Sequence, residues 1–132
     1  MTASDAALQR TVLAATAASD KLATDLVALD VSEHIALTDA FLICSGRNER
    51  MVQAIADHVE QRLLEDGARR LRQEGRAGGR WILLDFGDIV VHVFHEEERL
   101  YYQLERLWRD CPVISLPAGL GLNVDSDTEQ AL

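Results

Sequence analysis

The sequence predicts an α/β (α+β-like) domain with a mixed five-stranded sheet and about three helices. Two short apolar runs in residues 80–95 flank a turn, and apolar residues at helical spacing follow them. The run from Ala40 to Ser45, AFLICS, is long and apolar enough for a buried central strand. The element order is helix, two strands, helix, three strands, helix, which predicts helices packed on one mixed sheet.

The first helix and strand lie in the alanine-rich N-terminal part of the chain. Residues 4–24 form the predicted helix, in which the apolar residues at roughly helical intervals are Leu8, Val12, Ala15 and Leu22. A short strand is predicted from Leu26 to Val31, and a connection from His34 to Asp39 leads into the central strand.

The second helix is predicted from Glu49 to Asp66. Four apolar residues share one face of it: Val52, Ile55, Val59 and Leu63. Gly67 follows at the position where a left-handed backbone commonly ends a helix. A further strand is predicted from Arg69 to Glu74, and a flexible turn from Gly75 to Gly79.

A β-hairpin is predicted from the runs Trp81 to Leu84 and Ile89 to Phe94, since the second run is rich in β-branched residues. With Phe86-Gly87 as a two-residue loop, Asp85 pairs with Asp88 and Trp81 pairs with His92. A longer loop that shifts the register by one residue exchanges the two faces, so the register stays open.

The two hairpin faces differ in chemistry. One is aliphatic and belongs in the core: Ile82, Leu84, Ile89, Val91 and Val93. The other mixes aromatic rings, carboxylates and an imidazole: Trp81, Leu83, Asp85, Asp88, Val90, His92 and Phe94. A self-sufficient core does not select that mixture, so this second face is the predicted partner surface. Two facing aspartates need a metal, a cationic partner or hydrogen bonds from turn N–H groups, and a metal lacks a third ligand.

The last helix is predicted from Glu96 to Arg109, since three glutamates suit a helix N-terminus. Its core stripe is Leu100, Tyr101, Leu104, Leu107 and Trp108. Tyr102 lies on the opposite side among charged residues, which is typical of an interface anchor. The alternative is a tyrosine that lies along the surface.

Composition limits the classes of function. The chain has 132 residues, and we expect one domain over residues 1–111 and a disordered tail over residues 112–132. No apolar run approaches the roughly 18 residues of a membrane span, and no secretory signal begins the sequence. Two cysteines without metal-ligand spacing, Cys44 and Cys111, suggest a reduced, cytoplasmic compartment.

The net charge of -9 argues against non-specific nucleic-acid binding and favours a basic partner. One local exception is an arginine cluster: Arg69, Arg70, Arg72, Arg76 and Arg80. It either contacts RNA at the edge of a larger assembly or forms a solvated strand and loop surface, and the second interpretation is favoured.

No catalytic, metal or cofactor site is predicted. Ser45-Gly46 stands between a strand and a helix, but one glycine without a following lysine favours a helix entry turn over a phosphate site. Asp88 and His92 share a strand face but lie about 13 Å apart, too far to hold one ion.

Three stretches resemble the ribosomal silencing factor family, also called Iojap-like proteins, in order and spacing. They are LDVSEHIALTDAFLICSGRNERMVQAIADHVE, EGRAGGRWILLDFGDIVVHVF and ERLYYQLERLWRD. The resemblance covers about Ala6 to Asp110, nearly the whole of the part expected to fold. The resemblance implies a fold similar to nucleotidyltransferases. The strand Asp88-Ile89-Val90 lacks the second carboxylate those enzymes need for magnesium, so catalysis by that route is not expected.

The resemblance also implies a non-enzymatic translational repressor that is dimeric when free. Such a factor binds the large ribosomal subunit through ribosomal protein L-fourteen and blocks joining of the small subunit when nutrients are scarce. Carried over by motif, the partner-binding positions are Trp81, Asp85, Asp88, His92, Phe94, Tyr102, Glu105 and Trp108. The alternatives are a nucleotide-binding or nucleotidyl-transferring enzyme and an assembly factor for the large subunit.

Overall fold

The computed structural model describes residues 2–102 and 109–120. Within them the elements are α1 (Asp5–Asp20), β1 (Thr24–Asp30), β2 (Ala40–Gly46), α2 (Glu49–Glu65), β3 (Arg72–Glu74), β4 (Trp81–Asp85), β5 (Ile89–His95), α3 (described over Glu96–Tyr102) and β6 (Val113–Ile114).

The strands form one mixed sheet in the order β3-β4-β5-β2-β1-β6. β2 and β5 pair in parallel, and every other described pair is antiparallel. The predicted α+β class is therefore confirmed, with β2 at the centre and all seven of its residues buried.

The predicted strand number of five is wrong, because the sheet has a sixth strand. Val113 and Ile114 pair with Leu29 and Ala28 of β1, although a two-residue strand carries no alternation that a sequence pattern could show. Leu116 and Leu120 also pack against the core. The start of the expected tail thus belongs to the folded part, and residues 121–132 lie outside the described residues.

Both long helices cover the same face of the sheet. α1 and α2 pack against each other and against the aliphatic side of β2, β4 and β5, including Leu42, Ile82 and Val91. A second buried cluster lies on the opposite face: Leu29, Val31, Phe41, Ile43, Val90, Phe94 and Cys111. The two faces of the sheet are therefore covered in different ways, and the aromatic residues lie on the side away from α1 and α2.

α1 and α2 end with the same backbone geometry but with different residues. After α2, Gly67 takes φ +90°, its N–H donates to Leu64, and Ala68 donates to Leu63, as the position of Gly67 predicts. After α1 the corresponding residue is Leu22, at φ +66°. The sequence pattern placed Leu22 on the core stripe of α1, but it lies beyond the helix and is 53% exposed.

We expect Gly67→Ala to lower the free energy of unfolding by about 1 kcal/mol, because L residues are strained at positive φ. No atom lies within 4 Å of an added Cβ, so the loss is purely conformational. Gly78→Ala is the control: an added Cβ there meets only a carbonyl oxygen at 3.9 Å, and the expected change is within about 0.5 kcal/mol. Urea unfolding of both variants tests this; equal losses would contradict it.

Candidate partner-binding face

The hairpin of β4 and β5 turns at Gly87-Asp88. The N–H of Phe86 donates to the carbonyl of Ile89 at 2.9 Å, which closes this two-residue loop. Gly87 takes φ +94°, and its N–H donates to the Asp85 carboxylate at 2.8 Å. The predicted loop, Phe86-Gly87, is wrong because the glycine is needed one position earlier in the turn.

The observed register differs from the predicted one by two residues. Trp81 lies opposite Phe94, Leu83 opposite His92, and Asp85 opposite Val90. The predicted pairs of Asp85 with Asp88 and Trp81 with His92 are therefore wrong. A shift of two keeps each side chain on its original face, since side chains alternate with a period of two. The predicted composition of both faces is therefore confirmed for the strand residues, whereas Asp88, predicted on the mixed face, lies in the turn.

We call the mixed face the aromatic face and define it by Phe41, Trp81, Leu83, Asp85, Val90, His92 and Phe94. Trp81 stacks on Phe94, with 4.8 Å between ring centroids and 26° between planes. Phe41 meets His92 edge to face, also at 4.8 Å. The indole N–H of Trp81 donates to Nδ1 of His92 at 3.2 Å. Trp81 is therefore held in place by a ring stack and a directional hydrogen bond.

His92 is a neutral, buried member of the aromatic face. Its side chain lies between Trp81 and Phe41, and burial lowers its pKa to about 4. Because Nδ1 accepts from Trp81, we assign the ring proton to Nε2, which is buried without a hydrogen-bond partner among the described residues. Protonation of Nδ1 would remove the acceptor that holds Trp81.

The aromatic residues predicted to bind a partner have different degrees of exposure. Phe94 is fully buried and His92 is 4% exposed, whereas Trp81 is only partly buried. Trp81 is thus the member of these three that a partner can contact, and the buried rings of Phe94 and His92 pack against it or bind it by a hydrogen bond. Their partner-binding role stays a prediction.

The two predicted acidic contacts are already paired within the chain. Asp88 binds Arg10 of α1 through both carboxylate oxygens, each at 2.8 Å from one guanidinium nitrogen. Asp85 pairs with Arg72 of β3 at 3.3 Å. The sequence analysis expected these aspartates to face each other and to need a metal, a cationic partner or turn N–H groups. The turn instead separates them, arginines of the same chain pair with both, and Asp85 also accepts from the N–H of Gly87, as the turn alternative predicted.

Three predicted site residues lie on or after α3. Tyr102 is the last described residue of that helix, and its side chain is not described. Glu105 and Trp108 lie outside the described residues. Their proposed contacts, and the core stripe predicted for this helix, stay predictions.

Two arginines connect the start of α3 to the sheet through ion pairs and a hydrogen bond. Arg80, just before β4, pairs with Glu97 and Glu98 at 2.9 Å each. Arg99 is 7% exposed and donates to the Ser45 hydroxyl of β2 at 2.8 Å. Sequence spacing gave no signal for Arg10 or Arg99, because their partners lie 78 and 54 residues away along the chain.

Most of the arginine cluster makes ion pairs within the chain. Arg70 pairs with Glu60, and Arg76 pairs with both Asp57 and Glu60. Arg72 and Arg80 have the partners described above. These pairs favour the solvated-surface interpretation, and an RNA contact through the cluster stays a prediction.

No three His, Cys, Asp or Glu side chains in the described ranges, 2–102 and 109–120, converge to hold a metal ion. Over the same ranges no helix has the length and apolar character needed to cross a membrane.

Comparisons with known proteins agree with this fold. Residues 4–131 match the family model described as ribosomal silencing factor during starvation. The ribosomal silencing factor RsfS of Bacillus subtilis is 45% identical over 108 residues, covering 82% of this chain and 92% of that protein. A crystal structure from Chromobacterium violaceum is similar, with a TM-score of 0.75, 33% identity, and coverage of 87% and 97% of the two chains.

A more distant relative is the mouse protein named mitochondrial assembly of ribosomal large subunit protein 1. It is 30% identical over 89 residues, which cover 65% of this chain and 39% of that protein. The matches indicate that this chain is a ribosome-associated factor. The chain belongs to the ribosomal silencing factor family.

The buried His92 predicts a specific pH dependence of stability. Its pKa falls from 6.5 to about 4 on folding, so the unfolded chain binds more protons between those values. The free energy of unfolding therefore decreases as the pH falls through this window, by up to roughly 3 kcal/mol. His92→Gln keeps an acceptor for Trp81 but does not titrate, so we expect a smaller loss.

Urea unfolding of both proteins between pH 7 and pH 4 measures the difference. The remaining carboxylates titrate in both proteins, so the comparison isolates the imidazole. Identical pH dependence would contradict the assigned burial of a neutral ring.

Proposed function

We propose that this chain is a translational repressor that binds the large ribosomal subunit through ribosomal protein L-fourteen. Bound there, it blocks association with the small subunit and damps translation under nutrient limitation. Membership of the ribosomal silencing factor family over residues 4–131 carries the proposal. The aromatic face supports the proposal, because its partly exposed tryptophan packs on buried side chains. The net charge of -9 also suits a basic partner.

The geometry of Trp81 suits an interface anchor. Its stack on Phe94 and its hydrogen bond to His92 fix the indole before a partner arrives. A side chain that is already fixed loses little conformational entropy on binding, and tryptophan is enriched among residues that dominate interface energies. The negative net charge favours encounter with a basic ribosomal protein.

Inhibition by this route needs no chemical step. A bound factor occupies space that the small subunit would otherwise fill, so repression depends on occupancy and on competition between the two. We propose cytoplasmic action at the ribosome and a homodimer when the protein is free.

The two residues that a nucleotidyltransferase-like enzyme would use, Ser45 and Asp88, already have arginine partners within the chain. Asp88 is bound through both oxygens to Arg10, and the Ser45 hydroxyl accepts from the buried Arg99. A magnesium ion at Asp88 would have to displace Arg10, which already contacts both carboxylate oxygens. This favours a binding protein over an enzyme.

Assembly of the large subunit is a second candidate function, favoured by the name of the mouse relative. An assembly factor and a repressor can bind the same subunit, so binding alone does not separate them. Loss of an assembly factor leads to precursor particles during growth. Loss of a repressor instead leaves mature subunits that keep joining after nutrients are withdrawn.

Co-sedimentation with purified bacterial small subunits, large subunits and joined ribosomes tests the proposed function. We expect selective pelleting with large subunits, weakened at least about tenfold by a Trp81→Ala, Tyr102→Ala double variant, because anchor residues each contribute about 2 kcal/mol or more. Leu64→Ala is the control, since Leu64 is 53% exposed on α2, on the opposite side of the sheet.

A second measurement follows joining of the two subunits by light scattering. The wild-type protein should reduce joining, and the double variant should not. Pelleting with no subunit, or equally with both subunits, would overturn the proposal.

A further inference from the structure

A small cavity opens on the aromatic face beside Trp81. It has a volume of about 230 Å³ and is lined by Glu74, Gly75, Trp81 and Leu83. Leu83 lies opposite Glu74 in the pairing of β3 and β4, which places both side chains on the face that carries Trp81. The cavity thus combines an aromatic ring, an aliphatic side chain and a carboxylate.

Gly75 lines this cavity at a position where a residue with a side chain would not fit. Its backbone has φ +80°, and an added Cβ would lie 1.9 Å from the carbonyl oxygen of Trp81. The chain after β3 therefore runs directly against the backbone of β4. This close approach holds Glu74 beside the tryptophan.

Glu74 differs in its ion pairing from Asp85 on this face and from Asp88 in the adjoining turn. Asp85 pairs with Arg72 and Asp88 pairs with Arg10. Glu74 is exposed, and none of the described residues forms an ion pair or hydrogen bond with its carboxylate. The uncompensated negative charge next to Trp81 is therefore that of Glu74, a residue that the sequence pattern did not select.

We propose that this cavity is the subsite for one lysine or arginine side chain of the basic partner. The methylene stem of that side chain packs on Trp81 and Leu83, and its cationic head lies between the indole and the Glu74 carboxylate. Aromatic rings attract cations, and long basic side chains bury their stems while the charge stays at the water boundary. The inference rests on the proposed function and names a partner group for the same face.

The test measures the affinity of the full chain for purified bacterial large subunits at low and at physiological ionic strength. Glu74→Gln removes one charge with little change of shape, and we expect an affinity loss on the order of fivefold at low salt. The loss should shrink as salt increases. Glu65→Gln is the matched control: it makes the same change in net charge from an exposed position on α2, away from this face, and should have little effect.

A double-mutant cycle identifies the shared cation. If Trp81 and Glu74 hold the same side chain, Glu74→Gln should cost much less affinity in a Trp81→Leu background than in the wild type. Additive losses would overturn the proposed subsite, and so would equal affinities of Glu74→Gln and Glu65→Gln. In either case, binding of the wild type to large subunits would still support the proposed function. Failure of the wild type to bind large subunits overturns both.

Discussion

The parallel pairing of β2 with β5 is the constraint on which the rest of the structure depends. The C-terminal ends of both strands lie at the same end of the sheet, with Gly46 beside His95. The helices that follow these strands, α2 and α3, therefore start next to each other. Arg80 can then pair with the first turn of α3, and Arg99 can return from α3 to Ser45. The direction of two central strands thus determines where α3 begins, and α3 leads to the proposed contacts beyond it.

Charge compensation within the chain determines what the aromatic face offers a partner. The chain is strongly acidic, yet Asp85 and Asp88 on or beside this face are bound to arginines from β3 and α1. The Arg10–Asp88 pair is partly buried, so breaking it would leave a charge without its counterion, whereas Arg72 of the other pair is exposed. Around Trp81 a partner therefore meets indole and aliphatic groups together with Glu74, whose carboxylate has no partner among the described residues. Short-range apolar contact is thus added to the attraction that the net charge of -9 provides.

The sequence predicted the fold class, the central strand and the strand residues of both hairpin faces, because these depend on periodicity, but it placed the turn residue Asp88 on the mixed face. It did not predict the register, since Phe86-Gly87 and Gly87-Asp88 are both plausible loops and only the backbone at Gly87 distinguishes them. β6 was missed because two residues show no alternation. The ion pair of Arg10 with Asp88 joins residues 78 apart, and sequence spacing carries no information at that distance.

The two edges of the sheet limit how this domain can associate. β3 presents three exposed polar residues, and β6 has only two residues, so neither edge gives a long row of free backbone groups. Short, polar edge strands discourage the addition of a strand from another chain. Addition of a further strand at either edge of the sheet is therefore disfavoured, whereas association with another protein through a face of the sheet is not.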